Sequence, residues 1–337
     1  MIFKKTFPRQ LSITVATMLL AAFAYVFFMP GINTTTRKTN LIIHRGMGFK
    51  PIVDALLRNG SIKSKWPILL TGSIFPRLNN IKPGRYSIPS GMSNFSLLYY
   101  LHTRKQDEVR VTIPEGMNLR HIARLLSRKL DLDAAAFMAA ANDRQLLAKH
   151  NIAAKNAEGY IFPGTYNILW ASQPEEVADF LIGQFRHFYT DRLQSTAASK
   201  GLNEKTLLTL ASIVEAETPV NQEKPLVASV YLNRLKHNVR LQADPTVLYA
   251  LGGSARRIFY KDLTTDSPYN TYRHKGLPPG PICNPGAAAI LAVLNPADTK
   301  YLYFVATGKG GHNFAESLSE HNINVKKYRI TRHNTLR

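Results

Sequence analysis

The chain has 337 residues, 45% of them hydrophobic, and carries a formal net charge of +21. This length and apolar content exclude a disordered chain and provide for about two domains of roughly 150 residues each. The solitary cysteine, Cys283, excludes an internal disulfide, while the charge points to nucleic acid, anionic lipid or an anionic polymer, or serves solubility alone. The basic residues are spread along the chain apart from Lys326, Lys327, Arg329, Arg332 and Arg337 near its end. No nucleic-acid module accompanies them, so nucleic acid is set aside in favour of membrane surface and cell-wall polymer.

Lys4, Lys5 and Arg9 precede a charge-free apolar run from Leu11 to Pro30. About 20 apolar residues suffice for a helix to cross the hydrocarbon core. The leading charges place residues 1–10 in the cytoplasm and the bulk of the chain outside, although Arg37, Lys38 and Arg45 on the far side weaken that bias. Ala22-Phe23-Ala24 mimics a signal-peptide cleavage site, but apolar residues continue through Tyr25-Val26-Phe27-Phe28-Met29, which favours a retained anchor over a cleaved signal. Residues 31–40 read as a linker.

One pattern then occurs three times. Ile43-His44-Arg45-Gly46-Met47, Ile88-Pro89-Ser90-Gly91-Met92 and Ile113-Pro114-Glu115-Gly116-Met117 each lead into apolar residues at helical spacing. The unit is strand, tight turn, amphipathic helix, with Gly where the turn needs positive φ. Such units resemble LysM-like modules, which bind glycans containing N-acetylglucosamine; a plain scaffold would show the same periodicity. Lys82-Pro83-Gly84-Arg85-Tyr86 reads as a turn feeding a strand. Asp131 to His150 reads as helix, and 151–157 as a boundary.

The second half places polar residues in apolar company. Thr206 to Val214 is apolar on most of its circumference and predicts a buried helix, with Asn203 as N-cap. It runs into Glu215-Ala216-Glu217-Thr218-Pro219, so both carboxylates fall in the last turn, before Pro219 ends the helix. Burial and the negative end of the helix dipole both disfavour the charged form, so either Glu is a candidate general acid. Positions two apart point about 200° apart, and periodicity does not choose between them. The plain alternative is that they pair with basic residues such as Arg234.

Stiff loops follow: Leu241-Gln242-Ala243-Asp244-Pro245-Thr246, Tyr269-Asn270-Thr271-Tyr272, Gly276 to Ile282 and Asn284-Pro285-Gly286. A strand is expected from Tyr301 to Val305, leading through Gly308-Lys309-Gly310-Gly311 to His312-Asn313-Phe314. The Gly-rich stretch lacks the Lys-Ser/Thr ending of a phosphate loop. His312 and His321 fit no zinc spacing, and no Gly-x-Ser-x-Gly elbow is present.

Six segments in order carry a more specific signal: Glu158-Gly159-Tyr160-Ile161-Phe162-Pro163, Ala211 to Thr218, Val227 to Leu235, Leu241 to Thr246, Leu277-Pro278-Pro279-Gly280 and Gly310 to Phe314. Together they resemble the endolytic murein transglycosylase, or YceG-like, family. The resemblance implies an α+β protein with a single N-terminal transmembrane helix, a LysM-like strand-turn-helix module and a mixed α/β catalytic domain. The corresponding division is a tail 1–10, helix 11–30, linker 31–40, LysM-like region with connecting helix 41–155, catalytic domain 156–328 and basic tail 329–337. It implies a lyase of the bacterial inner membrane, facing the periplasm, that cuts nascent peptidoglycan strands internally and leaves 1,6-anhydro-muramyl ends. The catalytic acid/base is then Glu215, with Glu217 in support. Gln242, Asp244, Thr246, Asn270, Tyr272, His312 and Asn313 are candidate substrate-binding residues.

The implied partners are peptidoglycan glycan strands, the membrane and peptidoglycan synthases (penicillin-binding proteins), with no nucleic acid, metal or organic cofactor. One departure from the family form is Gly164, where an acidic residue usually follows Phe-Pro. The readings to be set against this one are a non-catalytic peptidoglycan-binding adaptor recruiting synthases, a hydrolase in which Glu217 or Asp244 activates water, and an anionic-lipid-binding protein.

Overall fold

A computed structural model describes residues 7–31, 33–35, 37–253 and 257–335. The chain forms two compact units, 1–109 with 168–171 and 110–167 with 172–337. Lys4, Lys5 and Arg337, used above for orientation and tail charge, lie outside the described residues.

The first unit contains α1 (Phe7–Phe28), β1 (Thr39–Ile43), α2 (Phe49–Arg58), α3 (Trp66–Ile74), β2 (Gly84–Ile88) and α4 (Asn94–Thr103). β1 and β2 pair antiparallel, from Thr39 opposite Ile88 to Ile43 opposite Gly84. Their two-residue alternation sends Leu41, Ile43, Tyr86 and Ile88 inward, onto Ile52, Val53 and Leu56 of α2 and Leu97, Leu98 and Leu101 of α4. Gly46 and Gly91 occupy the turns at φ of +81° and +71°, where a side chain would be strained. Ser93 caps α4 by accepting from the Ser96 amide.

The apolar run is helical, but among the described residues no helix is long and apolar enough to cross a membrane. The spanning helix expected over 11–30 is not identified among those residues. The last turn of α1 is engaged by its own unit: Phe27 is buried, Phe28 packs on Phe95 at 5.3 Å between ring centroids, and the Val26 carbonyl accepts from Asn94.

The second unit starts along β3 (Glu108–Ile113) and continues through α5 (Leu119–Lys129), α6 (Ala134–Ala140), α7 (Arg144–Lys149), β4 (Gly164–Leu169), α8 (Pro174–Phe188), α9 (Asp191–Ser199), α10 (Glu204–Glu217), α11 (Lys224–Lys236), α12 (Asp244–Ala250), α13 (Ala287–Leu294), β5 (Tyr303–Ala306), β6 (His312–Ala315) and α14 (Leu318–Thr335). The architecture is thus α+β, with short two-stranded sheets among many helices. All three repeats adopt the strand-turn-helix form, with Gly116 at φ +75° in the third. They do not form one array: β3 pairs with β4 rather than with β1 or β2. Nothing in the fold identifies them as LysM-like beyond that local form.

Two boundaries differ from the sequence reading. The helix expected over 131–150 is two helices, because Asp133 and Asp143 each cap a new start, accepting from the amides of Ala136 and Leu146. The strand expected from Tyr301 begins at Tyr303. The carbonyls of Tyr301 and Leu302 are instead taken by the side chains of Asn233 and Arg234 on α11.

Candidate active site

α10 is the element on which the site is built. Asn203 caps it, accepting from the Thr206 amide at 2.8 Å, and every residue from Leu207 to Val214 is buried. It packs on α11, α12 and α13, and its last turn emerges at the edge of that packing, with Glu215 and Glu217 partly buried and Ala216 exposed. Ser212 makes the link to the Pro-rich loop, since its hydroxyl accepts from the Ile282 amide at 3.0 Å. Two residues on, Asn284 uses both ends of its amide. Its oxygen accepts from the amides of Gly159 and Ile161, each at 2.9 Å, and its nitrogen donates to the Met117 carbonyl and the Glu158 carboxyl. Its backbone closes on the same loop, Gly116 donating to the Asn284 carbonyl and Asn284 to that of Met117. One fully buried asparagine thereby fixes three segments around the end of α10.

Glu215 sits where they converge, its side chain 6% exposed. Lys224, the first residue of α11, donates to one carboxylate oxygen at 2.8 Å. The Gly286 amide, at the start of α13, donates to the other at 3.0 Å. The C-terminus of α10 thus does not act on Glu215 alone; an ammonium and a helix-start amide face it. Glu115, in the turn of the third repeat, reaches the same lysine from 3.8 Å. It presses on Gly286 so closely that a Cβ there would lie 2.0 Å from its carboxylate oxygen.

Glu217 faces elsewhere, as the helical period requires. Tyr231 of α11 donates to it at 2.6 Å. Burial pushes its carboxyl up to about 7; the Tyr231 hydrogen bond opposes this, the charge of Asp244 adds to it and that of Arg234 opposes it. Arg234 hydrogen-bonds the carbonyls of Leu302 and Leu241, so the pairing of these carboxylates with a basic residue, the plain alternative, is met at Glu215 by Lys224 rather than by Arg234. A third carboxyl, Glu158, is buried beneath the start of α5. It accepts from the Leu119 amide at 3.0 Å, from Asn284 and from Tyr249. Burial pushes it up to about 8 against those donors and the charge of Arg120.

The remaining candidates divide. Asp244 opens α12, is exposed, and accepts from the Tyr272 hydroxyl; both lie in the electrostatic reach of Glu217. Gln242 is exposed and held at φ +48°. Thr246 and Asn270 are buried and structural: the Thr246 hydroxyl donates to the Ala243 carbonyl, and Asn270 donates to the carbonyls of Leu263 and Thr265. His312 belongs to a second pair, its ring nitrogen and its amide each 2.8 Å from Glu223. Burial works to raise Glu223, but those bonds, the charge of His312 and the Thr218 hydroxyl outweigh it and hold the carboxyl below its ordinary range. Asn313 lies on β6 opposite Val305. Gly164 opens β4 beside Tyr166, whose hydroxyl would lie 2.8 Å from a Cβ there.

Sequence reasoning missed Lys224, Glu115 and the Gly286 amide. Glu115 was hidden inside a turn motif. Lys224 was hidden as an ordinary charge at a helix start.

An α+β protein that withdraws several carboxyls from solvent, one of them held between an ammonium and a helix-start amide, has the groups that enzymes working by carboxyl acid–base chemistry use. Comparison with known proteins narrows the class. The YceG-like family model matches residues 41–327, and the chain belongs to that family. An endolytic murein transglycosylase of Bacillus subtilis (strain 168) is 32% identical over 308 residues, 86% of this chain and 84% of that protein. The protein so named in Streptococcus pneumoniae serotype 2 (strain D39) is 32% identical over 286 residues, 75% of this chain and 52% of its own longer one. The crystal structure of a YceG-like protein from Listeria monocytogenes superposes with a TM-score of 0.60 at 30% identity, covering 85% of this chain and 98% of that one.

Proposed function

We propose that the protein is an endolytic murein lytic transglycosylase, cutting the β-1,4 bond between N-acetylmuramic acid and N-acetylglucosamine within nascent strands and so limiting their elongation. The observation that carries the assignment to this site is Glu215, at the end of a buried helix yet held by Lys224 at 2.8 Å and the Gly286 amide at 3.0 Å. Glycoside cleavage ordinarily uses two carboxyl groups, one as acid and one as base or nucleophile. Here the 6-hydroxyl of the muramyl sugar replaces water. The Glu215 carboxyl gives its proton to the leaving oxygen as the bond from the anomeric carbon breaks. The 6-hydroxyl oxygen then bonds to that carbon and its proton returns to Glu215, closing the anhydro ring. Intramolecular attack gains the advantage of a tethered nucleophile.

The test is Glu215→Gln on purified uncrosslinked strands, with products read by mass spectrometry. Loss of at least about 100-fold in release of anhydro-ended fragments is expected for removal of a general acid–base. Undiminished release overturns the assignment, and release of fragments one water heavier makes the protein a hydrolase. Glu217 supplies a second reading of the acid, favoured by the carboxyl that burial pushes up to about 7. It requires Glu217→Gln, and not Glu215→Gln, to abolish cleavage. Asp244 and Tyr272 beside it, with Gln242, His312 and Asn313, are proposed to contact the glycan.

The N-terminal run is proposed to hold the protein in the inner membrane, with its start in the cytoplasm and both units in the periplasm, beside peptidoglycan synthases. Ile13, Met18, Leu19 and Leu20 support this, since large apolar side chains left exposed along one helix suit lipid better than water. The two repeats of the first unit are proposed to touch the glycan as LysM-like units. Resistance to alkaline extraction from membranes tests the anchor.

A further inference from the structure

Lys224 is 1% exposed, and a buried ammonium is stable only while it is paired. Its partner in the structure is Glu215, which the proposed reaction requires to carry a proton when the sugar bond breaks. At that moment the pair loses its negative member. The structure offers a replacement. Glu115 lies 3.8 Å from the same nitrogen, against 2.8 Å for Glu215, and its side chain is 48% exposed. A movement of about 1 Å by a half-exposed side chain would close an ordinary charged hydrogen bond.

We infer that Glu115 is a positioning residue for Glu215: it is the second acceptor of the Lys224 ammonium, and it takes over that ion pair whenever Glu215 is protonated. The inference rests on the reading of Glu215 as acid/base. Glu115 need not touch the sugar. It keeps the lysine paired through the cycle, so that protonating Glu215 does not strand a buried charge. The glycine at 286 is part of the arrangement, because any side chain there would occupy the place of the Glu115 carboxylate.

The groups that bear on this pair come from several elements. Lys224 faces it from α11, and the Gly286 amide from the start of α13. Cys283 lies in the loop before α13, its thiol pushed up by burial and by the charges of Glu158 and Glu215. Glu217, on the same helix, turns instead to Tyr231 and Asp244, and Glu223 is occupied by His312. Glu115 is therefore the carboxylate that shares Glu215's cation.

The experiment compares wild type, Glu115→Gln and Glu115→Asp on uncrosslinked strands, measuring kcat and KM for anhydro-ended product from pH 4.5 to 8.5. Glu115→Gln is expected to leave KM within about twofold and to lower kcat at pH 7 about tenfold. Its alkaline limb is expected to move down by about one pH unit, the size of effect one neighbouring charge exerts. The deficit then closes toward acid pH, and Glu115→Asp recovers most of the wild-type profile. A Glu115→Gln profile that matches wild type, one that falls equally at every pH, or one altered in KM alone overturns the inference while leaving the Glu215 reading intact. Absence of anhydro product from wild type, or its persistence in Glu215→Gln, overturns the underlying reading and this inference with it.

Discussion

The two units bury different kinds of polar group. Among the described residues of the first, the buried polar side chains are Asn33, Thr34, Ser61, Thr71, Ser93 and Asn94, all uncharged. In the second they include Glu158, Lys224, Arg234 and Asp262. Burying a charge is costly unless it is paired and hydrogen-bonded, so a fold that does so repeatedly in one unit and not in the other has spent its stability unevenly. The first unit is built as a scaffold, with an apolar core closed by neutral hydrogen bonds. The second carries an electrostatic arrangement that a scaffold does not need. That contrast is in keeping with the site proposed at Glu215.

The sharpest way to break this comparison is to remove the buried cation. Lys224→Met leaves Glu215 sequestered with only the Gly286 amide. Breaking a buried ion pair from one side typically costs about 3–5 kcal/mol, most of it from the orphaned charge. Adding Glu215→Gln to Lys224→Met is expected to restore most of that loss, because the orphan is then neutral. Denaturant unfolding followed by far-ultraviolet circular dichroism measures both. If the double variant is as unstable as the single, Lys224 is held by packing rather than by charge.

A comparable cost in the first unit has a different character. Leu97 is fully buried between the strands and helices of its core, and Leu97→Ala should cost about 2–5 kcal/mol through lost contacts and a residual cavity. Both tryptophans of the chain, Trp66 and Trp170, belong to this unit, so tryptophan fluorescence reports its unfolding selectively. The expected outcome is an earlier fluorescence transition with unchanged kcat well below it. A fall in kcat under those conditions would contradict the view of the first unit as scaffold.

What could be read from the sequence follows the same division. The Gly turns, the strand-turn-helix repeats, the buried α10 and its Asn203 cap are local patterns, and they survive in the fold because local rules dictate them. Glu215 and Glu217 were legible as unusual because a carboxylate at the end of an apolar helix is visible in one dimension. Their partners were not. Lys224 follows Glu223 and precedes Pro225, which reads as an ordinary charged helix start, and only the packing of α10 on α11 turns that lysine inward. Glu115 lay in a motif whose periodicity already accounted for it. Asn270 and Thr246 show the converse: polar residues in stiff loops, selected as ligand contacts, whose hydrogen bonds are spent on holding the loops themselves.

The buried carboxyls give the second unit a pH signature that the first lacks. Burial pushes Glu158 up to about 8 and Glu217 up to about 7. Between pH 5 and 8 the folded chain therefore keeps protons that the unfolded chain has released. Stability is highest at the acid end of that window and falls as pH rises, at up to about 1.4 kcal/mol per pH unit for each group, until each folded-state pKa is passed. Glu158→Gln should roughly halve the slope from pH 5 to 7 and flatten it from 7 to 8. Circular dichroism melts across the window read the second unit, while tryptophan fluorescence reads the first, whose transition should be the less sensitive to pH.

The smallest effects test whether the units differ in anything besides charge. Ser93 caps α4 in the first unit by accepting from Ser96, and Asn203 caps α10 in the second by accepting from Thr206. Each variant to Ala should cost about 1 kcal/mol, the usual worth of an N-cap. Neither cap touches a buried charge, so the two losses should match and neither should vary with pH over the window in which Glu158 titrates. Asn203 stands at the opposite end of the helix that carries Glu215, so Asn203→Ala also asks how α10 holds its last turn. If kcat is unchanged, Lys224, Gly286 and the buried middle of α10 fix the carboxylate without help from the helix start. If kcat drops in step with stability, the geometry of the site depends on the whole length of α10, and the division between scaffold and site runs through that helix rather than between the two units.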